Sequence, residues 1–182
     1  KAAYGDFLLM VGRFDIDKDQ QTVIKAYHIL CQKHHIPNKL LFVGDGPTLP
    51  LCQELSKTLG LADRIVFMGS RQDVGNFYSA AKLCLHSSPS EGLPTVLLEA
   101  MKYQLPIVAT DSPPGVDEIL VRDTYGLSCK IGDPADMADK ILRMLTDQDL
   151  YEHYRRQGQI RILDFSYESI RCQLEHILTT LK

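Results

Sequence analysis

The sequence predicts an α/β fold, a doubly wound parallel sheet covered by helices on both faces to give three layers. Three observations predict it. Short apolar, β-branched or aromatic runs alternate with longer amphipathic stretches along nearly the whole chain. The 182 residues, 45% of them apolar, are enough to close one core without metal or disulfide staples. No internal repeat, low-complexity tract or linker interrupts the pattern, so one doubly wound domain is expected over residues 1–182.

Taken in order, Phe7–Val11 reads as the first strand and Lys18–His35 as a helix, with Asp17 and Gln20 at capping-box spacing. Leu40–Val43 is the second strand, and its helix runs from Leu49 until Gly60 stops it. Ile65–Met68 and the helical Asp73–Ala81 segment follow. Leu83–His86 is the fourth strand, Pro94–Gln104 its helix, and Ile107–Ala109 the fifth strand. After the turn Pro113-Pro114-Gly115 come a short helix, a strand at Leu127–Lys130 and three helical stretches up to Leu181. Tyr151, Tyr154, Ile160 and Ile162 suit the packing face of those late helices.

Composition narrows the partners. With 20 Lys and Arg against 23 Asp and Glu, the net charge of -3 offers no basic field for nucleic acid or anionic lipid. A bound anion must be held locally. The 5 cysteines are scattered and odd in number, without a C-x-x-C pair, as a reduced intracellular protein uses Cys in its core. No apolar run approaches the length of a membrane span. A start at Lys1 rather than Met suggests a piece of something longer.

Parallel sheets of this kind bind ligands at the carboxyl ends of their strands, so the loops there carry the functional reading. The first, VGRFDIDKDQQ, turns at Gly12 and brings the cations of Arg13 and Lys18 to the top of the sheet. The second, VGDGP, has two glycines of a dinucleotide fingerprint, but Leu49 replaces the third, and no P-loop exists anywhere. The fourth, His86–Met101, is the informative one. Gly92 and Leu93 precede Pro94, which suits a first helical turn, so free amides and the helix dipole make an anion site there. Thr95 and Glu99 share a face of that helix, roughly 6 Å apart along its axis at about 1.5 Å per residue. A phosphate at the helix end leaves Glu99 to accept from a ribose diol, and Glu91, in the loop, suits a ligand rich in hydroxyls.

These residues resemble a family. Glu91 and Glu99 enclose 7 residues, the E-x7-E motif of retaining nucleotide-sugar glycosyltransferases. The whole chain resembles the C-terminal, donor-binding half of a GT-B fold, Rossmann-like, of family 4. GRFDIDK, VGDGP, MGSRQDV, ATDSPPGVDEIL and GDPADMADKIL carry the likeness, with Pro113 and Pro114 standing where many relatives have a second glycine. The resemblance implies that Arg13 and Lys18 bind the diphosphate, with Gly12 and Gly44 in the turns beside them. It implies that Glu99 binds the ribose, Glu91 the donor sugar, and Gly69, Ser70 and Arg71 border the nucleobase through backbone groups. Arg13, Lys18 and Glu91 are then the catalytic set, and Gly92, Leu93, Pro94 and Thr95 the helix start that faces the phosphate. The implied reaction transfers a hexosyl group to an acceptor hydroxyl in bacterial polysaccharide or lipopolysaccharide synthesis, in the cytoplasm or on the cytoplasmic face of the membrane. No cofactor or metal is implied. UDP-sugars are the commonest donors of the family, with GDP- and ADP-sugars as alternatives.

Other readings stand beside this one. An epimerase or phosphorylase of the same fold would share sheet and phosphate site, and a non-catalytic α/β module would need only the fold. Asp15 and Asp17 form a D-x-D triplet, a metal signature in another fold, but the cap reading of Asp17 competes with it. His86 ends a strand beside the site and reads first as a packed or capping histidine. The resemblance also implies an N-terminal acceptor domain absent from this chain, leaving a half that binds nucleotide without turnover.

Overall fold

The computed structural model describes residues 5–180, so the calls on Lys1 and Leu181 lie outside the described residues. Six parallel strands, β1 Phe7–Val11, β2 Lys39–Val43, β3 Ile65–Phe67, β4 Leu83–His86, β5 Ile107–Thr110 and β6 Leu127–Cys129, lie in the order β3-β2-β1-β4-β5-β6. The order reverses direction between β1 and β4, where Leu8 sits opposite Leu83 and Leu9 opposite Cys84. Side chains alternate across the sheet. Leu8, Met10, Leu40 and Phe42 pack on one face against α1 (Gln20–His34) and α6 (Pro134–Thr146), through Tyr27, Leu30, Met137 and Ile141. Phe7, Leu9, Leu41 and Val43 pack on the other, with Leu97 and Met101 of α4 (Thr95–Lys102) and Ile119 of α5 (Gly115–Leu120). This is the predicted three-layer, doubly wound architecture.

The remaining helices are α2 (Leu49–Thr58), α3 (Val74–Ala80), α7 (Gln148–Arg161) and α8 (Tyr167–Thr180). Three expectations are corrected. Asp17 does not cap α1: a 3-10 turn at Ile16–Lys18 intervenes, and Asp19, with φ 43°, accepts from the Thr22 amide instead. The Gln20 side chain donates back to the Arg13 carbonyl at 2.8 Å rather than closing a capping box. Tyr151 and Tyr154 are buried as predicted, but Ile160 is 56% exposed, because it leaves the face of α7 that meets the core. Cys52, Cys84 and Cys129 are buried free thiols, whereas Cys172 is exposed. No helix among the described residues is long and apolar enough to cross a membrane.

Candidate functional site

The carboxyl ends of β1 and β4 form the switch point, and their loops are tied together by backbone and hydroxyl contacts. Ser87, directly after β4, places its Oγ 2.8 Å from the carbonyl oxygens of both Lys18 and Asp19. The end of the β1 loop is thereby fixed beside the β4 loop. On the other side, the Gly12 amide donates to Val43, Phe14 to Asp45 and Gly44 to Gly69, zipping the loops after β1, β2 and β3. Gly44 is required here: its φ is 145°, and a Cβ would stand 1.9 Å from the Gly12 carbonyl oxygen.

This framework brings Lys18, His86 and Glu91 together. Lys18 Nζ donates to Glu91 Oε1, and His86 Nε2 lies 3.2 Å from the same oxygen. The His86 side chain is 3% exposed and Glu91 13%, so this carboxylate is largely withdrawn from water. The His86 contact, with that of Lys18 behind it, outweighs burial and holds the Glu91 carboxyl down at about 2. Among the described residues His86 Nδ1 is buried without a hydrogen-bond partner. The Glu91 backbone is braced from β5: it bridges Pro114, and its carbonyl accepts from the Gly115 amide at 3.0 Å. A Cβ on Gly115 would approach the Gly92 carbonyl oxygen to 2.4 Å, so the strand-five loop can reach Glu91 only with glycine there.

A cleft of about 150 Å³ opens over the cluster, bounded by Gly12, Lys18, His86, Glu91, Leu93 and Thr95 among others. Pro94, predicted in the first turn, is instead the buried cap residue of α4, which starts one position later at Thr95, and no side chain caps that turn. The cleft therefore meets one ammonium and an uncapped helix start, an environment for an anion, with a carboxylate for hydroxyl groups at its side.

The predicted residues fall into two groups. Gly12, Lys18, Glu91, Leu93, Pro94 and Thr95 border the cleft, with Gly92 between them in sequence. Arg13 does not join Lys18 there. Its neighbour Phe14 is buried against Phe42 and Phe67, at 5.6 and 6.0 Å between ring centroids, which turns Arg13 outward, where its Nε lies 3.4 Å from Asp15. Asp15 also accepts from the Ile16 amide at 2.8 Å, so this member of the D-x-D triplet is engaged as a cap. Glu99 is exposed one turn into α4. Gly69 and Ser70 form the loop beyond β3, where Arg71 makes a two-point pair with Asp73 and lies over Phe77. Ser87 and Gly115 join the site with no signal in the sequence beforehand, whereas His86, expected as a packed or capping histidine beside the site, packs there and also meets Glu91.

Comparison with known proteins places the chain in a family. A family model described as glycosyl transferases, group 1, matches residues 4–161. The N-acetyl-alpha-D-glucosaminyl L-malate synthase of Bacillus anthracis is 30% identical over 171 residues, 93% of this chain and 44% of that protein. The crystal structure of S. aureus TarM in complex with fondaparinux, alpha-GlcNAc-glycerol and UDP superposes with a TM-score of 0.86 at 21% identity, covering 98% of this chain and 36% of that one. Anabaena HepE in complex with UDP gives 0.84 at 23% identity, covering 97% and 49%. At such identities the likeness is one of fold. The chain spans about half the length of the curated relatives it matches.

Proposed function

This chain belongs to the glycosyl transferases of group 1, and from that premise we propose that it is the donor-binding half of a family 4 enzyme that moves a hexosyl group from a nucleoside diphosphate sugar to an acceptor hydroxyl. The observation that carries the proposal is the meeting of Lys18 and Glu91 beside the uncapped start of α4, at the sheet's switch point. The ammonium and the helix start suit the diphosphate. Glu91 suits the sugar hydroxyls, and Glu99, one turn further on, the ribose. Gly69, Ser70 and Arg71 border the base. The TarM and HepE structures contain UDP, which favours UDP-sugars over GDP- and ADP-sugars as donors.

In the reaction the bond between the anomeric carbon and the diphosphate oxygen breaks, a bond to the acceptor oxygen forms on the same face, and the acceptor proton passes to the departing phosphate. Lys18 and the α4 amides stabilise the charge that develops on the leaving group, and Arg13 joins them once a diphosphate draws it from Asp15. Glu91 orients the sugar. The scheme assigns no metal or cofactor, places the acceptor on a second domain outside this chain, and gives this half nucleotide binding without turnover. The product belongs to bacterial surface polysaccharide or lipopolysaccharide, made in the cytoplasm or at the inner membrane face. Incubating the full-length protein with labelled UDP-, GDP- and ADP-sugars tests the reading: transfer or slow donor hydrolysis, with the product anomer read by NMR, is expected, and inertness towards all three donors overturns it.

A further inference from the structure

Two donors converge on one oxygen of Glu91. Lys18 Nζ and His86 Nε2 both meet Oε1, and the carboxylate they share is 13% exposed. An ionised carboxylate only accepts, so the His86 nitrogen facing it carries a proton. This histidine is 3% exposed and its other nitrogen has no partner among the described residues, so packing and Glu91 hold it where it is. Lys18, at 31% side-chain exposure, is the member free to move. A lysine that leaves a nearly buried carboxylate strands an unpaired charge, which is strongly unfavourable unless another donor remains.

Resting on the donor-site reading above, we propose that His86 is a positioning residue that retains Glu91 when the diphosphate draws Lys18 away. In the free protein Glu91 holds Lys18 beside the cleft; on binding, the ammonium passes to the phosphate oxygens and the His86 N–H keeps the carboxylate satisfied and in place. Lys18 is thus exchangeable and His86 fixed. Without His86, Glu91 competes with the nucleotide for Lys18, and diphosphate affinity falls even though no contact to the nucleotide has been removed.

Calorimetry of the chain with UDP, GDP and ADP tests this, using the best-bound nucleotide for the variants and circular dichroism to verify folding. His86→Phe is expected to weaken binding about tenfold, about 1.4 kcal/mol. His86→Gln, whose amide still donates to Glu91, is expected to restore most of the loss. The double variant His86→Phe with Glu91→Gln is expected to restore binding as well, because a neutral amide no longer retains Lys18. If His86→Phe does not fold, His86→Asn, too short to reach Glu91, carries the same expectation. Unchanged affinity in the folded His86 variant overturns the inference. So does a double variant as weak as His86→Phe, which marks a packing defect. Failure of the folded wild-type chain to bind any of the three nucleotides overturns instead the donor-site reading on which the inference rests.

Discussion

Lys18 and Glu91, 73 positions apart in sequence, form an ion pair at the point where the sheet reverses its winding. The pair joins the cation expected at the diphosphate to the carboxylate expected at the sugar. Removing the lysine should therefore act on the phosphates. Lys18→Ala is expected to weaken UDP binding by about 10- to 100-fold, as loss of a charge-assisted contact of about 1.4–2.8 kcal/mol requires, and to change uridine binding by less than about twofold. Calorimetry with both ligands checks it, and equal losses contradict the assigned role.

Glu91 also makes stability depend on pH. Its folded carboxyl titrates at about 2, below the ordinary 4.5, because of the His86 contact first and Lys18 after it, with Ser88 nearby. A depressed carboxylate stabilises the fold above its unfolded value, and that contribution is lost as pH falls from about 4.5 to about 2. Discounted for the solvent reaching its open side, it is on the order of 1–2 kcal/mol. Urea unfolding of wild type and Glu91→Gln should show a gap of that size at pH 7 that narrows below about pH 4.5. A gap independent of pH contradicts the assignment.

Gly115 and Gly44 are positions where an added methyl collides with backbone. Gly115→Ala would drive its Cβ to 2.4 Å from the Gly92 carbonyl oxygen, and Gly44→Ala to 1.9 Å from that of Gly12, with a φ of 145° in addition. Each is expected to lose about 2–4 kcal/mol of stability, and Gly115→Ala should also displace the Glu91 loop. Thermal melts measure the first effect, and the Glu91 side-chain NMR signal reports the second. Melting unchanged from wild type would show that the loops yield easily.

The two faces of the late helices and the sheet centre give a contrast in stability. Ile160→Ala, at a 56% exposed site, is expected to fall within about 0.5 kcal/mol of wild type, whereas Leu9→Ala, in a strand with no exposure, should lose about 2–5 kcal/mol. Denaturant midpoints of the two variants decide it.

The sheet was legible in the sequence because six apolar runs separated by amphipathic stretches admit few other folds, and strand bounds agree to within a residue or two. That Lys18, Glu91 and the α4 start border one cleft could be expected because each lies in or ends a loop that follows a strand, where such sheets bind ligands. What escaped was set by tertiary contact. The 3-10 turn that moves the α1 cap from Asp17 to Asp19 depends on a left-handed backbone at Asp19, which an Asp tolerates but does not announce. Arg13 follows Gly12 in the same loop as Lys18, yet the burial of Phe14 turns it out towards Asp15. His86 and Gly115 reach Glu91 from β4 and from the loop after β5, and no spacing along the chain reveals that meeting.

The donor site at the switch point requires that this chain hold a nucleoside diphosphate there. Calorimetry of the folded 182-residue chain with UDP, GDP and ADP is expected to show saturable binding of at least one, weakened about tenfold by Glu99→Ala at the ribose position, with no sugar released from the matching donor. A folded chain that binds none of the three, or whose affinity is indifferent to both Glu99→Ala and Lys18→Ala, contradicts it.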